Sequence, residues 1–498
     1  MKKHYFKLLG ILTGMMFVMT ACGQNVQEEQ VEAVNIQLSD TKILMDGNEL
    51  GTNSQSSVYA ANDIIYYEEG KDFIYGEGSE KDAHSVEDAK AHTVVHITEP
   101  GTYCLSGTLS LGQIAVDLGD EAKENPEAVV TLVLDGVDIT CEVAPALIFY
   151  DVYECGNDDA DQAKKDVDTS KAGANVIIAD GSINTIKGSY VEKIYKPESV
   201  VLNEDKTEVA DAKKLHKYDG AFYSRMSMNF AGEDKGDGVL NIYAQNEGLD
   251  SELHLTINGG NINIYSGNDG INTNEDGISV TTINGGNLTI QVTGETGEGD
   301  GIDSNGWLVI NGGNVVASAC SNSADAGIDS DMGIHINGGT VIASGHMLDR
   351  IEEGGQPYAV FHLMEKQTEE KTLYLKESDG KDIAELCPKN AYSVLIYSSP
   401  KLKNVTYTLW NKDGEKLCES GGGMFGPGMH GMPGMKPEGF EGMEPPEGFE
   451  GMEPPRGFEG KQPPEGFEGK QPPEGFEGKQ PPEGMEPPQK PNDSMLRR

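Results

Sequence analysis

The feature that most constrains the fold is a four-residue phrase, Ile-Asn-Gly-Gly, which occurs four times in the middle of the chain. Its asparagines are Asn258, Asn284, Asn311 and Asn337, at intervals of 26, 27 and 26 residues. A repeat of about 20 to 50 residues is typical of architectures that stack one structural unit on the next. The sequence therefore predicts a solenoid rather than one globular core, with the stacked asparagines forming an amide ladder at one corner.

A second phrase, which reads Gly-Ile-Asp-Ser in two of its copies, interleaves with the first. Its third positions are Asp250, Asn272, Asp303 and Asp329. Apolar and polar residues alternate on both sides of each Asn-Gly-Gly corner, which is typical of strands. Helical repeats need a period of about 3.6, and a propeller blade needs about 40 residues. We predict an all-β fold, a right-handed parallel β-helix with about 25 residues per coil.

Residues 1–22 are a predicted export signal, in which three lysines precede an apolar run. The signal ends in Met19-Thr20-Ala21-Cys22, which resembles a bacterial lipobox, where the cysteine is lipidated and becomes the mature N-terminus. An ordinary secretory signal is the alternative. Two acyl chains give stable anchoring, and no later stretch is apolar for long enough to span a bilayer. We expect an exported protein, lipid-anchored at Cys22 on the extracellular face of the cell membrane.

Composition divides the rest of the chain into a polar tether with first strands (23–90), the parallel β-helix (91–350), a small β cap (355–420) and a disordered tail (421–498). A cap is expected because terminal repeats need a closing element. In the tail, Pro-Glu-Gly-Phe-Glu-Gly recurs every nine residues, and this composition cannot bury a core. The tail is either a solvated segment or a multivalent ligand that presents Phe side chains to the cell wall or to another protein.

The charge of the chain points to cations. Its formal net charge of −44 disfavours nucleic acid and anionic lipid, because phosphates bind Lys and Arg. Residues 236–349 contain no Lys or Arg and fifteen Asp and Glu. Equivalent side chains of stacked coils lie about 4.8 Å apart, so these carboxylates repel unless they are protonated or bridged by a cation. Calcium binds carboxylate and carbonyl oxygens at about 2.4 Å and fits between two coils better than magnesium.

The predicted calcium ligands are the acids that flank each third strand: Glu247, Asp250, Asp269, Asp300, Asp303, Asp329 and Asp331. The loop acids Asp276, Glu298 and Asp325 are second choices. The alternative is that all of these carboxylates are exposed turn residues, because Asp-Gly is also a common turn signal.

Several phrases together resemble a known family. The chain contains Pro-Gly-Thr-Tyr-Cys-Leu-Ser-Gly at 100–107 and Leu-Val-Leu-Asp-Gly at 132–136, besides the coil phrases and the lipobox. These motifs resemble the carbohydrate-binding β-helix lipoproteins of anaerobic Gram-positive bacteria, a family linked to cellulose and acidic-sugar binding. The resemblance covers about 94–410 and implies a pectate-lyase-like β-helix with calcium ions and polysaccharide binding. The departures are the tail and two charged insertions at about 156–172 and 191–218.

Whether the protein is an enzyme depends on whether a side chain is available to act as the catalytic base. The pectate lyases that this fold resembles use calcium together with an Arg or Lys base. In this chain Arg225 and Arg350 lie at the edges of the regular coils and Lys235 just before them. His254 and His335 are expected to be outward strand residues without a catalytic role. We therefore favour a binding module over a calcium-dependent polysaccharide lyase or hydrolase, and predict no catalytic residue. A structural or adhesive surface protein that acts through its tail is the third hypothesis.

Aromatic side chains are the expected contacts for sugar rings. The candidates are Tyr223, Tyr243, Tyr265 and Trp307, with packing in the core as the alternative role. The expected partners are a plant cell-wall polysaccharide or an acidic glycan such as polygalacturonate, the membrane through the lipid anchor, and a wall or protein partner for the tail. Calcium would bridge an acidic glycan to this acidic protein.

Overall fold

The computed structural model describes residues 33–64 and 90–420, apart from 158, 192–194, 197–198, 204, 214–217 and 369–370. The predicted export signal with Cys22 and the predicted tail lie outside the described residues. The described part is all-β with almost no helix, which confirms the predicted class; its short 3-10 helices are Ala122–Glu124 and Ala160–Gln162. Within these residues no helix is long and apolar enough to cross a membrane.

The strands of the first half vary in length. They are β1 (Val34–Leu38), β2 (Leu44–Met45), β3 (Asn48–Glu49), β4 (Val58–Ala61), β5 (Thr93–Ile97), β6 (Gly101–Leu109), β7 (Gly112–Val116), β8 (Val130–Thr140), β9 (Leu147–Phe149), β10 (Ala174–Ile178), β11 (Ile183–Gly188), β12 (Val201–Leu202) and β13 (Val209–Asp211). β1 pairs in parallel with β6, so the parallel pairing begins inside the segment predicted as a polar tether with first strands.

The strands of the regular repeats are short and similar to one another. They are β14 (Gly220–Ser224), β15 (Met228–Gly232), β16 (Val239–Ala244), β17 (Glu247–Ser251), β18 (Leu255–Ile257), β19 (Asn261–Ser266), β20 (Ile271–Thr273), β21 (Val280–Ile283), β22 (Asn287–Val292), β23 (Ile302–Ser304), β24 (Trp307–Ile310), β25 (Asn314–Ser318), β26 (Gly333–Ile336) and β27 (Thr340–Gly345). Each Asn-Gly-Gly phrase lies between two of them, as predicted.

Equivalent strands of successive repeats pair in parallel and form three ladders. Ladder A contains β6, β8, β10, β15, β18, β21, β24 and β26. Ladder B contains the end of β8, then β11, β16, β19, β22, β25 and β27. Ladder C contains β5, β7, β9, β14, β17, β20 and β23. Register therefore places side chains from distant parts of the sequence in rows.

The core consists of inward-facing rows of the same residue types. Leu249, Ile271 and Ile302 stand at paired positions of ladder C, and each is 0% exposed. The neighbouring inward row, Ser251 and Thr273, is buried as well. Each fully buried Leu or Ile stabilises the fold by about 1.5–3 kcal/mol relative to an exposed one. Polar residues alternate with these rows and face outward, which is how the core positions the functional surfaces.

The asparagines of the repeated phrase form a side-chain ladder, as the sequence predicts. Asn284 Nδ2 donates to Asn258 Oδ1 at 2.9 Å, Asn311 donates to Asn284 at 2.9 Å, and Asn337 donates to Asn311 at 2.8 Å. A second amide ladder, which the sequence analysis missed, runs beside the first: Asn287 donates to Asn261 at 2.6 Å and Asn314 to Asn287 at 2.8 Å. Both ladders tie each repeat to the next at one corner.

We expect Asn311→Ala to destabilise the protein more than Asn337→Ala. Asn311 both donates to Asn284 and accepts from Asn337, whereas Asn337 gives the ladder one bond. A typical hydrogen bond contributes about 0.5–1.5 kcal/mol, so the expected losses are about 1–3 and about 0.5–1.5 kcal/mol. Urea denaturation of both variants measures the difference. Equal losses of unfolding free energy would mean that hydrogen bonds between the asparagines stabilise the fold little more than hydrogen bonds from the same amides to water.

The C-terminal strands add a second hydrophobic cluster. They are β28 (Tyr358–Gln367), β29 (Leu373–Glu377), β30 (Asp382–Leu386), β31 (Tyr392–Ser398), β32 (Tyr407–Asn411) and β33 (Lys416–Glu419). β31 pairs antiparallel with β27, the last strand of ladder B, and with β28. β29, β30, β32 and β33 form a separate four-stranded antiparallel sheet. The region predicted as a β cap thus ends the parallel pairing of ladder B.

Two further features lie among the early repeats. The insertion predicted at 191–218 contains the antiparallel pair β12 and β13. The insertion predicted at 156–172 contains the short helix Ala160–Gln162. All six cysteines of the described residues are free thiols, and Cys141 and Cys320 are buried.

Candidate functional site

The outer face of ladder C carries a row of polar side chains. Asp250, Asn272 and Asp303 pair at equivalent positions of β17, β20 and β23, with Tyr223 before them on β14. The N–H of Asp329 donates to the carbonyl of residue 302 at 2.7 Å, so Asp329 continues the row. Parallel pairing stacks these positions one strand spacing apart, about 4.8 Å.

A second acidic row runs beside the first. The Asp300 N–H donates to Asp269 Oδ1 at 2.7 Å, and Asn272 Nδ2 donates to Glu247 Oε1 at 3.1 Å. The second bond joins the two rows. We call the six acids of the two rows the acidic strip: Glu247, Asp250, Asp269, Asp300, Asp303 and Asp329. The structure therefore brings together six of the seven predicted calcium ligands.

Four acids of the strip have raised pKa values. Burial raises the pKa of Asp250 well above its usual range, and the neighbouring carboxylates of Glu247 and Asp219 add to the effect. Burial, with Glu247 and then Asp300, does the same to the pKa of Asp269. Burial, with nearby acids, raises the pKa of Asp300 to about 8 and that of Asp329 to about 7. At neutral pH the strip therefore favours either bound protons or a bound cation.

The chemistry of the strip fits calcium. All of its candidate metal-ligand atoms are oxygens, which are the ligand atoms that calcium prefers. Asn272 Oδ1 is buried and has no hydrogen-bond partner, and it stands between Asp250 and Asp303 in the row. Among the described residues, no three His, Cys, Asp or Glu side chains are already arranged around a common point as a metal centre. Calcium at the strip stays a prediction, with Asn272 Oδ1 as an added ligand candidate.

The other predicted acids lie around the strip. Asp331 is exposed, and its pKa is raised by partial burial and by Asp276 and Asp349. Asp325 Oδ2 accepts from the Gly299 N–H at 2.6 Å, and Asp276 Oδ1 accepts from an asparagine amide at 3.0 Å. The last two carboxylates thus hold loops in place. Glu298 is exposed.

Sequence reasoning missed three residues of this region. The Asp219 N–H donates to Asp250 Oδ2 at 3.2 Å, and Asn274 Nδ2 donates to Asp250 Oδ1. Asn272 links the two rows through Glu247. Asn272 was identifiable from the sequence because it occupies the aspartate position of the second repeated phrase. The roles of Asp219 and Asn274 depend on loop conformation.

The cationic side chains considered as lyase bases are engaged elsewhere. Arg225 pairs with Asp151 at 3.2 Å, and Arg350 pairs with Glu352 at 2.6 Å. Lys235 lies 3.9 Å from Asp180 at the exposed end of a loop. None of these three pairs includes an acid of the strip.

The outer face of ladder B has the opposite character. Its outward positions on β11, β16, β19, β22 and β25 hold no acid, and Lys187 is their one charged residue. Asn263 Nδ2 donates to Asn241 Oδ1 at 3.0 Å, beside the amide ladder of Asn261 and Asn287. We call these outward side chains the ladder B face. In a protein of net charge −44, this face is a surface without acids and with a single cation.

Two of the predicted sugar-stacking residues meet on the ladder B face. Tyr243 and Tyr265 pair in register, with ring centroids 5.0 Å apart and planes 9° apart. Tyr243 is 43% exposed and Tyr265 is half-buried. Lys187 adjoins the pair on one side and Gln291 on the other. The result is a short aromatic platform with a cation at one end and an amide at the other.

The other two aromatic candidates lie apart from this platform. Tyr223 is 0% exposed, its ring packs edge-on against Tyr218 at 4.9 Å, and its hydroxyl donates to Glu252 at 2.5 Å. A ring without an exposed face cannot stack on a sugar, so the prediction for Tyr223 is wrong. Trp307 is half-buried on ladder A, in register with Val280.

The histidine prediction is also corrected in part. His254 is 2% exposed rather than outward and open, because residues near 156 cover it. Burial lowers its pKa to about 4, and its Nδ1 accepts from the Val280 N–H at 3.1 Å. His335 is a half-buried side chain on β26, and burial lowers its pKa. His254 is therefore neutral and covered, whereas the sequence predicted a residue that faces solvent.

The fold and these surfaces define an all-β protein of parallel ladders with an acid-free aromatic face and a largely buried acidic strip. Comparison of the sequence with protein families gives a match over residues 91–370 to the family described as carbohydrate-binding domain-containing protein. This range is more than half of the 498 residues. The chain belongs to this carbohydrate-binding domain family.

One curated relative and one solved structure are similar to parts of the chain. A carbohydrate-binding domain-containing protein of Acetivibrio thermocellus is 31% identical over 172 residues, which are 34% of this chain and 44% of that protein. The chain thus spans less than half the length of this relative. The polysaccharide lyase-like protein from C. thermocellum, solved as a gadolinium derivative, is 21% identical with a TM-score of 0.34, and the match covers 62% of this chain and 90% of that one.

Proposed function

We propose that the protein is a polysaccharide-binding right-handed parallel β-helix whose ladder B face contacts the glycan. The observation that carries the proposal is the stacked Tyr243–Tyr265 pair in an acid-free face. Aromatic side chains offer large apolar contact area with a polar end. Asparagine amides both donate and accept hydrogen bonds, as sugar hydroxyls do. Membership of a carbohydrate-binding family supports the same assignment.

The proposal includes calcium at the acidic strip. Calcium would offset the repulsion among stacked carboxylates and would bridge an acidic glycan to the protein. The raised pKa values of Asp300 and Asp329 support this role, because they show how unfavourable the unbridged charges are. We also propose that the protein is exported and lipid-anchored at Cys22 on the cell surface. The favoured glycans are cellulose and polygalacturonate.

We expect the double variant Tyr243→Ala/Tyr265→Ala to bind insoluble cellulose about 10- to 100-fold more weakly than the unchanged protein. The reason is that each truncated aromatic at the centre of an interface costs more than about 1 kcal/mol, and about 1.4 kcal/mol is a factor of ten. Depletion of protein from solution by increasing amounts of cellulose measures the affinity.

Tyr374→Ala is the matched control for this experiment, because Tyr374 is a half-buried strand tyrosine of the separate C-terminal sheet. Circular dichroism of all variants checks that they are folded. If the double variant and the control bind cellulose equally well, the ladder B face is not the binding surface. For polygalacturonate, binding that is unchanged by a chelator excludes the calcium bridge.

We propose binding without catalysis. Arg225, Arg350 and Lys235 are each engaged away from the acidic strip, which supports this choice over a lyase. Incubation with polygalacturonate and calcium tests it directly, because a lyase produces an unsaturated product that absorbs in the ultraviolet. Accumulation of that product would replace the binding function with an enzymatic one.

A further inference from the structure

A segment at 153–172, which we call the bridging segment, is fixed at both ends to the outer side of ladder A. At its start, the buried carboxylate of Glu154 accepts from the Ser227 N–H at 2.6 Å and from the Ser227 hydroxyl at 2.8 Å. At its end, the hydroxyls of Thr169 and Thr256 are 2.7 Å apart. These buried polar contacts are strong because few waters compete for the groups. The segment between them arches over the repeat.

A cavity of about 410 Å³ lies under this arch. Ile278 and Val167 contribute apolar walls, while Lys164 and Asp168 lie at the exposed rim. A cavity of this size is within the range of small-molecule sites, about 300–1,000 Å³. Gly156 packs closely at the cavity wall, since a Cβ at this position would lie 2.8 Å from His254 Nε2 and 2.9 Å from a Glu154 oxygen.

His254 presents a hydrogen-bond donor at this cavity. Its Nδ1 accepts from the Val280 N–H at 3.1 Å, so in the neutral ring the hydrogen lies on Nε2. The Cδ2–Nε2 edge of the ring faces Gly156 at the cavity wall. No described residue accepts a hydrogen bond from Nε2, although the side chain is 2% exposed. A hydroxyl or carboxylate bound in the cavity would accept a hydrogen bond from this donor.

The rim supplies groups of both signs. Lys164 has no ion-pair partner among the described residues, whereas the adjacent Lys165 pairs with Asp166 at 2.7 Å. Asp168 is exposed and offers a carboxylate. A ligand that uses these groups together with His254 must accept and donate hydrogen bonds, and it must have an apolar face for Ile278. Sugar rings have this combination of hydroxyls and C–H faces.

We propose that the cavity under the bridging segment is a second glycan subsite that binds one or two sugar rings, an inference that rests on the polysaccharide binding proposed above. It differs from the ladder B face in being recessed beneath the bridging segment, so it suits a short saccharide or a chain end rather than the side of an extended polymer. His254 Nε2 and Lys164 would contact the sugar oxygens, and Ile278 the C–H face.

Isothermal titration calorimetry of the full chain with cellobiose and with digalacturonate tests the inference. We expect at least one disaccharide to bind, and Lys164→Ala to weaken its binding about tenfold. Lys165→Ala is the matched control and should bind as the unchanged protein does, because Lys165 is ion-paired and does not line the cavity. His254→Asn should also weaken binding. If the buried histidine variant does not fold, Lys164→Ala still tests the inference, because Lys164 is exposed.

Two results would overturn the inference: the absence of disaccharide binding at millimolar concentration, or equal binding by the unchanged protein and Lys164→Ala. Retention on insoluble cellulose and polygalacturonate separates this failure from failure of the proposed function. Protein that is retained by a polymer but does not bind disaccharides excludes only the cavity. Protein that binds neither excludes both proposals.

Discussion

Protein prepared without divalent cations is expected to become less stable as the pH rises from about 4 to about 8. In the unfolded chain an Asp titrates near about 3.9, whereas burial and neighbouring acids hold the pKa of Asp300 at about 8 and that of Asp329 at about 7. The pKa values of Asp250 and Asp269 are also raised well above the usual range. Between these limits the folded state binds more protons than the unfolded state, so its stability falls with pH.

The expected loss of unfolding free energy over this range is on the order of 5 kcal/mol, with solvent screening of the half-buried Asp300 and Asp329 taken into account. Below about pH 4 these carboxyl groups are protonated in both the folded and the unfolded state, so the strip does not lower the free energy of unfolding. Above about pH 8 Asp300 and Asp329 are mostly deprotonated in the folded state too, and their contribution to the loss levels off. Thermal melting in metal-free buffers from pH 4 to pH 9 measures this profile. A profile that is flat from pH 4 to pH 8 would contradict the burial of the acidic strip.

Calcium is expected to restore the stability that the metal-free protein loses as the pH rises. Millimolar calcium should raise the melting temperature at pH 8 and have little effect at pH 4, because the ion binds the deprotonated carboxylates. Asp300→Asn should flatten the metal-free profile and weaken the response to calcium. Asp120→Asn, which removes the same charge from an exposed loop, is the control. A melting temperature at pH 8 that is insensitive to calcium would exclude the proposed ion while leaving the pH prediction intact.

The second large effect is expected from Gly286→Ala. Gly286 has a φ of +85°, and a Cβ there would lie 2.6 Å from the Gly260 carbonyl oxygen and 2.8 Å from the Gly259 carbonyl carbon. Left-handed backbone costs an alanine about 1–2 kcal/mol, and a clash with backbone that cannot move aside adds about 1–3 kcal/mol. We expect Gly286→Ala to lower the unfolding free energy by about 2–5 kcal/mol.

Gly277→Ala separates the two causes. Gly277 has a similar φ of +71°, but a Cβ there would meet nothing within 4 Å. It should therefore cost only the backbone strain, about 1–2 kcal/mol. Urea denaturation of both variants, with comparable m-values, gives the difference. Equal losses would show that the repeats do not approach as closely at this corner as the structure places them.

The ladders were predictable because their information is local and repeated. A fixed spacing of identical phrases, combined with strand alternation, forces equivalent residues into one row when strands pair in parallel. Asn258, Asn284, Asn311 and Asn337 therefore form the amide ladder that the sequence predicts. The same argument placed the acids of the strip next to one another. The second amide ladder follows the same rule and needed only closer attention to the residue after each Gly-Gly pair.

Burial of individual outward residues was not predictable in this way. The alternation of inward and outward side chains along a strand predicts that Tyr223 and Tyr243 both point away from the core. Tyr223 is nevertheless 0% exposed, whereas Tyr243 is 43% exposed. Tyr218 packs on the first ring, and among the described residues no segment covers the second ring to the same extent. His254 was misjudged for the same reason, since the bridging segment that covers it comes about a hundred residues earlier in the sequence.

The sequence by itself determined the all-β class, the register of the repeats and the concentration of acids beside one strand of each unit. It did so because spacing and alternation are properties of short segments that every repeat shares. Only the tertiary structure decided which outward side chains are covered, which acids are buried, and that a cavity lies beside His254. The physical reason is that these outcomes depend on where non-repeated segments pack, and single long-range contacts such as Glu154–Ser227 and Thr169–Thr256 fix those positions.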